Sequence, residues 1–168
     1  MIETERLILR PPDPEKDFEG LAEAMADPAT VRYLDVEPMN RAQAWRSMAL
    51  VTGHWSIRGF GFFSLEHKQT GEWVGRVGPW FPEGWPDREV GWTISPRFQR
   101  QGYAYEAARA CLDYVFETLG WERVIHVIME GNEPSIALAE KLGSRLQRKQ
   151  KGIPGLTEAS LVIYGQGR

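Results

Sequence analysis

The first part of the chain alternates between a strand pattern and a helix pattern. Residues 6–10 place Leu-Ile-Leu between two arginines, which predicts a first strand that the following pair of prolines ends. Asp13 and Pro14 then make a typical helix beginning, an N-cap followed by a proline in the first turn. Apolar side chains repeat behind them at helical spacing, namely Phe18, Leu21, Ala22 and Met25.

The middle of the chain predicts a second helix and an antiparallel meander. The helix covers residues 41–54, with Asn40 as its cap. Strands are predicted over residues 60–66, 72–77 and 88–95, separated by a turn and by an irregular segment rich in proline and tryptophan. Most of the aromatic side chains in this region are expected in the core, where they bury much apolar area.

The last third predicts a crossover between parallel strands. An amphipathic helix lies between Gly102 and Gly120, and residues 123–129 form an apolar, β-branched run typical of a strand buried on both faces. A short helix over residues 135–142 and a hairpin ending in a strand at residues 160–164 complete the chain. A strand, a long helix and another apolar strand favour a mixed α/β fold with one parallel pair.

Composition narrows the class of protein. A chain of 168 residues fits one domain, and a net charge of −3 gives no indication of nucleic-acid binding. No run approaches the roughly 20 apolar residues that span a bilayer, and the beginning of the chain lacks a basic, apolar leader. The single cysteine and three scattered histidines argue against a disulfide or a metal site. We therefore expect a cytoplasmic protein without a metal.

The segment between the predicted strand at 88–95 and the long helix carries candidate chemistry. Helix N-termini present unpaired N–H groups and a positive dipole end, and Gly102 allows a ligand to approach the main chain closely. Arg97 and Arg100 add positive charge, and Ala104 keeps the first turn small. These features suit a pyrophosphate. A loop glycine beside solvated arginines explains the same residues equally well.

Three motifs together resemble a known family. Gln99-x-x-Gly102-x-Ala104, followed by Glu-Ala, resembles the coenzyme A pyrophosphate loop of the GCN5-related N-acetyltransferases (GNAT). Residues 4–10, Thr-Glu-Arg-Leu-Ile-Leu-Arg, with Asp17, resemble the opening of the branch typified by the ribosomal-protein N-terminal acetyltransferases RimJ and RimL. Residues 132–143, with Asn-x-x-Ser and then Glu-Lys-Leu-Gly, are similar to a helix of that branch. The segments occur in the family's order over residues 3–164.

The resemblance implies a GNAT-like acyl-CoA N-acyltransferase fold in a single domain, with acetyl-CoA as co-substrate. Its central twisted sheet is splayed between the fourth and fifth strands, here residues 88–95 and 123–129. Main-chain groups of Trp92, Thr93 and Ile94 are then not all paired and can bind the pantetheine arm and polarise the thioester carbonyl. The further residues that the resemblance assigns to the coenzyme are Gln99, Arg100, Gln101, Gly102, Tyr103, Ala104, Asn132 and Ser135.

The implied reaction is direct attack of a neutral amine on the thioester. Because free amines have pKa values of about 8 to 10.4, a base must remove a proton, and Glu89 is the first candidate. A surface carboxylate paired with a neighbouring arginine is the alternative for Glu89, and Glu83 and Asp87 are weaker candidates. Ser135 is expected to protonate the departing thiolate, because Ala139 stands where many members carry a tyrosine. The alternative for Ser135 is helix capping.

The acceptor is the least defined part. The resemblance implies a primary amine, either a protein N-terminus or a small molecule, and leaves monomer and homodimer open. A different class of function is a GNAT-like module that binds acyl-CoA without turning it over. An unrelated phosphate-binding enzyme is disfavoured, because no Gly-x-x-x-x-Gly-Lys-Ser/Thr loop, Gly-x-Gly-x-x-Gly helix opening or His-Glu-x-x-His motif occurs.

Overall fold

A computed structural model of the chain describes residues 1–168, which form eight strands and five helices. The strands are β1 (Ile2–Glu3), β2 (Leu7–Arg10), β3 (Phe63–His67), β4 (Trp73–Trp80), β5 (Glu89–Ile94), β6 (Arg123–Met129), β7 (Arg145–Ile153) and β8 (Thr157–Gly167). The helices are α1 (Pro14–Ala26), α2 (Pro28–Val31), α3 (Arg41–Arg58), α4 (Tyr103–Glu117) and α5 (Glu133–Lys141), and a 3-10 turn (Pro96–Phe98) follows β5.

All eight strands belong to one sheet with the order β1-β2-β3-β4-β5-β6-β8-β7. Every neighbouring pair is antiparallel except β5 and β6, which are parallel and are connected through α4. This confirms the predicted mixed α/β fold and its single crossover.

Helices cover both faces of the sheet. The main core lies between α4 and the strands, where Ala107, Cys111 and Leu112 of α4 are buried against β2, β3, β4 and β5. On the opposite face, Met25 of α1 and Met48 of α3 are buried together in a second cluster. No helix combines the length and the apolar character that crossing a membrane requires.

The segment before β3 differs from the prediction. The strand expected from residue 60 begins at Phe63, and α3 extends beyond the predicted end at His54 to Arg58. Side chains of α3 explain the difference, because the Trp55 indole N–H donates to the Phe62 carbonyl at 2.8 Å and His54 Nδ1 lies 2.9 Å from the Phe60 carbonyl. These contacts tie the segment to the helix instead of to a neighbouring strand.

The strand predicted over residues 72–77 continues through Pro79 to Trp80. Prolines are excluded from strand interiors where their missing N–H would face a partner. Here β3 pairs with β4 only as far as Val77, so Pro79 contacts one neighbouring strand only. The remaining differences are shifted boundaries and two short elements that the sequence did not reveal, β1 and α2. The helix predicted from residue 135 begins at Glu133 as α5, and the strand predicted over residues 160–164 extends from Thr157 to Gly167 as β8.

Candidate active site

The sheet opens between β5 and β6. The two strands pair at a single position, Glu89 with Ile125, where the Ile125 N–H donates to the Arg88 carbonyl at 2.9 Å. Main-chain groups alternate between the two edges of a strand. Because the carbonyls of Arg88 and Val90 both face β6, the main chain of Trp92 faces the opening as well.

The main chains of Ile94 and Thr93 are less accessible from the opening than that of Trp92. Ile94 also faces the opening, but its carbonyl accepts a hydrogen bond from the side-chain amide of Gln99 at 3.1 Å. Thr93 pairs with Arg76 of β4 through the other edge, so its main chain is directed away from the opening. Trp92 is therefore the residue of this strand whose main chain is best placed in the opening.

Two side chains bridge the opening where main-chain pairing ends. Glu89 of β5 accepts the Val127 N–H of β6 through Oε1 at 3.0 Å. In the reverse direction, His126 of β6 donates its Nδ1–H to the Val90 carbonyl of β5 at 2.6 Å. Each side chain thus replaces a hydrogen bond that a continuous sheet would make between main chains.

Glu89 is buried, with 6% of its surface exposed. Burial raises the pKa of its carboxyl from 4.5 to about 7, although hydrogen bonds from the Val127 N–H and the Trp85 indole N–H at 2.7 Å oppose the rise. The alternative of a surface carboxylate paired with an arginine is therefore wrong. A carboxyl with a pKa near neutrality can exchange a proton at physiological pH.

His126 is neutral and held in one tautomer. Burial lowers its pKa to about 4. Since Nδ1 donates to a carbonyl, Nε2 carries a lone pair and accepts the hydroxyl proton of Ser144 at 2.9 Å. Gln166 donates in turn to the Ser144 oxygen at 2.9 Å, so Ser144 supports this histidine.

A cavity of about 450 Å³ runs through the opening and brings five of the predicted site residues together. Its lining includes Glu89, Trp92, Thr93, Asn132 and Ser135. Neighbouring residues of a strand point to opposite faces of the sheet, so the lining contributed by Glu89 and that contributed by Trp92 belong to different faces. The cavity can therefore admit two reactants from opposite sides of the sheet.

Asn132 and Ser135 reach the cavity from the N-terminus of α5. Asn132 caps this helix, since its side-chain oxygen accepts the Ser135 N–H at 3.3 Å. The hydroxyl oxygen of Ser135 accepts the Trp92 indole N–H at 3.2 Å. The hydroxyl proton of Ser135 is consequently available for donation to another group.

The predicted coenzyme loop lies beyond the end of β5, outside the lining of the cavity. Gly102 has φ +85° and Arg100 has φ +59°, so the chain turns sharply before α4. The Gln101 side chain stabilises the turn by donating to the Arg97 carbonyl at 2.9 Å. No side chain caps α4, whereas Asp13, Asp27, Asn40 and Asn132 cap the other four helices. The first N–H groups of α4, beginning with Tyr103 and Ala104, are thus left for a ligand or solvent.

The N-terminal motif supports this loop. Arg6 donates through Nη1 to the Gln101 carbonyl at 2.9 Å, and its guanidinium lies 4.2 Å from the centre of the Tyr103 ring. Glu106 of α4 accepts hydrogen bonds from the Arg6 main-chain N–H at 2.8 Å and from Arg6 Nε at 2.7 Å. Two motifs about 100 residues apart in sequence are therefore in direct contact.

The weaker base candidates do not line the cavity. Glu83 is exposed and lies 3.8 Å from Arg58, and Asp87 forms an ion pair with Arg123 at 2.9 Å. Sequence reasoning missed Trp85 and His126, which fix the geometry around Glu89. A signal for His126 was present, because it is a polar residue inside an otherwise apolar strand.

Comparisons with known proteins identify a matching family. Residues 6–145 match the family described as "Acetyltransferase (GNAT) domain". The uncharacterized protein YkkB of Bacillus subtilis is 40% identical over 87 residues, 51% of each chain, so the match spans about half of that relative. The uncharacterized N-acetyltransferase p20 of Bacillus licheniformis is 30% identical over 141 residues, 83% of this chain and 79% of its own.

Solved structures show the same architecture. The acetyltransferase from Agrobacterium tumefaciens superposes with a TM-score of 0.84 and 28% identity, covering 99% of this chain and 94% of its own. The agreement extends over nearly the whole chain. This chain belongs to the GNAT acetyltransferase family.

Proposed function

We propose that the chain transfers an acetyl group from acetyl-CoA to a primary amine by direct attack of the amine on the thioester. The observation that carries the proposal is the position of Glu89, a buried carboxyl with a pKa of about 7 in the same cavity as Trp92 and Ser135. Such a reaction needs a base for the amine, a main-chain donor for the thioester oxygen and a hydroxyl group for the departing thiolate.

The coenzyme is held at the end of β5 and the beginning of α4. The uncapped N–H groups of α4 and the positive end of its dipole suit the pyrophosphate, with Gly102 permitting close approach and Arg100 adding charge. The main chain of Trp92 binds the pantetheine arm and stabilises negative charge on the thioester oxygen. A main-chain N–H that donates to this oxygen commonly stabilises the transition state by about 3 kcal/mol.

Glu89 removes a proton from the ammonium group of the acceptor, directly or through water, and the neutral amine that results attacks the thioester. The Trp85 and Val127 N–H groups hold the carboxylate in one orientation at the wall of the cavity. Ser135 donates its hydroxyl proton to the departing thiolate, a role supported by the Trp92 N–H, which occupies the Ser135 oxygen as an acceptor.

The motifs at residues 4–10 and 132–143 support placement in the RimJ/RimL branch, and with it an α-amino group of a protein or a small amine as acceptor. Arg6 gives the first motif a physical role, because it supports the main chain of the coenzyme loop.

The test has two steps. Calorimetric titration with acetyl-CoA comes first, and no association at millimolar concentration would contradict the proposal. A screen of peptides, amino acids, polyamines and aminoglycosides then measures thiol release, with mass spectrometry of the products. Acceptor-dependent release is the expected result. Binding without release by any acceptor would instead identify an acyl-CoA sensor.

A further inference from the structure

Arg76 lies on β4 and lines the same cavity as Glu89. Cross-strand partners point to one face of a sheet, and the pairs Arg76 with Thr93, Gly78 with Gly91 and Trp80 with Glu89 follow one another along β4 and β5. Arg76 and Glu89 therefore share the face of the sheet opposite to Trp92. Thr93, the partner of Arg76, lies four positions beyond Glu89 along β5, a distance of about 13 Å between their Cα atoms.

No carboxylate pairs with this guanidinium. Arg6, Arg10 and Arg41 each contact a carboxylate within 2.9 Å, but Arg76 makes no ion pair. Its Nε is buried without a hydrogen-bond partner, and its one side-chain hydrogen bond is a long contact of 3.5 Å to Ser47 Oγ.

The surroundings of Arg76 are apolar or neutral. Its guanidinium lies 5.2 Å from the centre of the Phe62 ring, which itself packs on Gly91 between Arg76 and Glu89. Burial lowers the pKa of Arg76 to about 10, and no acidic neighbour opposes this effect. Arg76 is half-buried, and its guanidinium lacks both a carboxylate partner and full solvation, so an anionic ligand in the cavity would supply the missing charge.

We propose that Arg76 binds an anionic group of the acceptor, so that the preferred acceptor is a small amino acid-like molecule with a primary amine and a carboxylate. The inference rests on the proposed acetyl transfer, which brings the amine to Glu89. Arg76 and Glu89 lie on one face of the same cavity, so one molecule can present its amine to Glu89 and its carboxylate to Arg76. A guanidinium at this position disfavours polyamines, whose second positive charge it repels.

A matched series of acceptors tests the proposal. ω-Amino acids from glycine to 6-aminohexanoate are compared with their carboxamides and with diamines of equal length. The wild-type protein is expected to show kcat/KM values roughly tenfold or more higher for the acids than for the amides at the optimal length, the effect of a charge-assisted hydrogen bond. Equal values for acids and amides would overturn the inference and leave the acetyl transfer intact.

Variants separate recognition from folding. Arg76→Met should reduce the acid-to-amide ratio to about one and leave the KM for acetyl-CoA unchanged, and Arg76→Glu should favour diamines. Arg76→Met should also raise Tm, because it removes an unpaired, half-buried charge. Arg148→Met is the control, since Arg148 is exposed on β7 away from the cavity. A lower Tm with an unchanged acid-to-amide ratio would give Arg76 a structural role only.

A binding measurement distinguishes failure of this inference from failure of acetyl transfer. Tryptophan fluorescence is followed while the protein, with coenzyme A present, is titrated with the acids and the amides. The anion site would be supported if the wild-type protein bound acids but not amides and if Arg76→Met abolished the binding of acids. This result would hold even if no acceptor were turned over. Equal binding of both, or no binding of either, would overturn it.

Discussion

Glu89 accepts the main-chain N–H of Val127 at 3.0 Å, just where β5 and β6 cease to pair. The carboxylate thereby takes the place of a strand carbonyl and remains inside the sheet without a cationic partner. Desolvation consequently dominates its electrostatics, and its pKa rises to about 7. The same interruption of the sheet that exposes the main chain of Trp92 therefore also raises the pKa of Glu89.

Glu89→Gln removes the proposed base while keeping a side chain of similar shape. We expect kcat/KM at pH 7 to fall about 10²- to 10³-fold, a typical effect of losing general base catalysis. In the wild-type protein, activity should rise with pH through about 7 as Glu89 loses its proton. The variant should lack the rise in activity near pH 7 and show only the rise that deprotonation of the acceptor amine causes. Identical pH profiles in both proteins would dismiss Glu89 as the base.

Glu89 and His126 should affect stability against pH in opposite directions. The folded protein keeps a proton on Glu89 up to a pH of about 7, compared with 4.5 when unfolded, so this contribution to the free energy of unfolding is lost as pH rises between these values. The folded protein keeps His126 neutral down to a pH of about 4, compared with 6.5 when unfolded, so its contribution is lost as pH falls between them.

Urea unfolding of single variants across pH 4 to 7 measures both effects. Relative to wild type, the free energy of unfolding of Glu89→Gln should rise with pH by about 3 kcal/mol over this interval, and that of His126→Gln should fall by about 3 kcal/mol. Curves parallel to that of the wild-type protein would contradict the assigned pKa directions.

Gly102→Val introduces a β-branched residue at φ +85° in the proposed pyrophosphate site. We expect the KM for acetyl-CoA to rise roughly tenfold or more, because the side chain obstructs the N–H groups that the phosphates need. Gly120→Val is the matched control, since Gly120 has φ +65° and no heavy atom near its added Cβ. Both variants should lose about 1–2 kcal/mol of stability. An unchanged KM in Gly102→Val would remove the loop from the coenzyme site.

Ser135→Ala tests protonation of the thiolate. Turnover should fall about 10²-fold, at the lower end of general acid–base effects, while the Kd for acetyl-CoA changes little. Ser135→Thr retains the hydroxyl and should recover most of the activity. Rapid-quench measurement of the chemical step and calorimetry of coenzyme binding separate the two effects. If Ser135→Ala turned over at the wild-type rate, the hydroxyl group of Ser135 would have no role in catalysis and only a local one in the first turn of α5.

Local pattern was sufficient for the longer strands and helices and for the family motifs, but not for the short elements β1 and α2. The spacing of apolar residues between Gly102 and Gly120 predicted α4, and the run at residues 123–129 predicted β6, because periodicity reflects which face of an element is buried. It failed at residues 60–62, where His54 and Trp55 bind the carbonyls that a strand would have used. Side-chain contacts of that kind have no periodic signature.

The sequence by itself determined the order of strands and helices, the loop motif and the family. Only the tertiary structure decided that Glu89 is buried between Trp85 and Val127, that His126 bridges back to Val90, and that Arg76 has no carboxylate beside it. The reason is physical: a side chain's charge state depends on the water it loses and the partners it meets. Both are set by strands that are distant in sequence and adjacent in space.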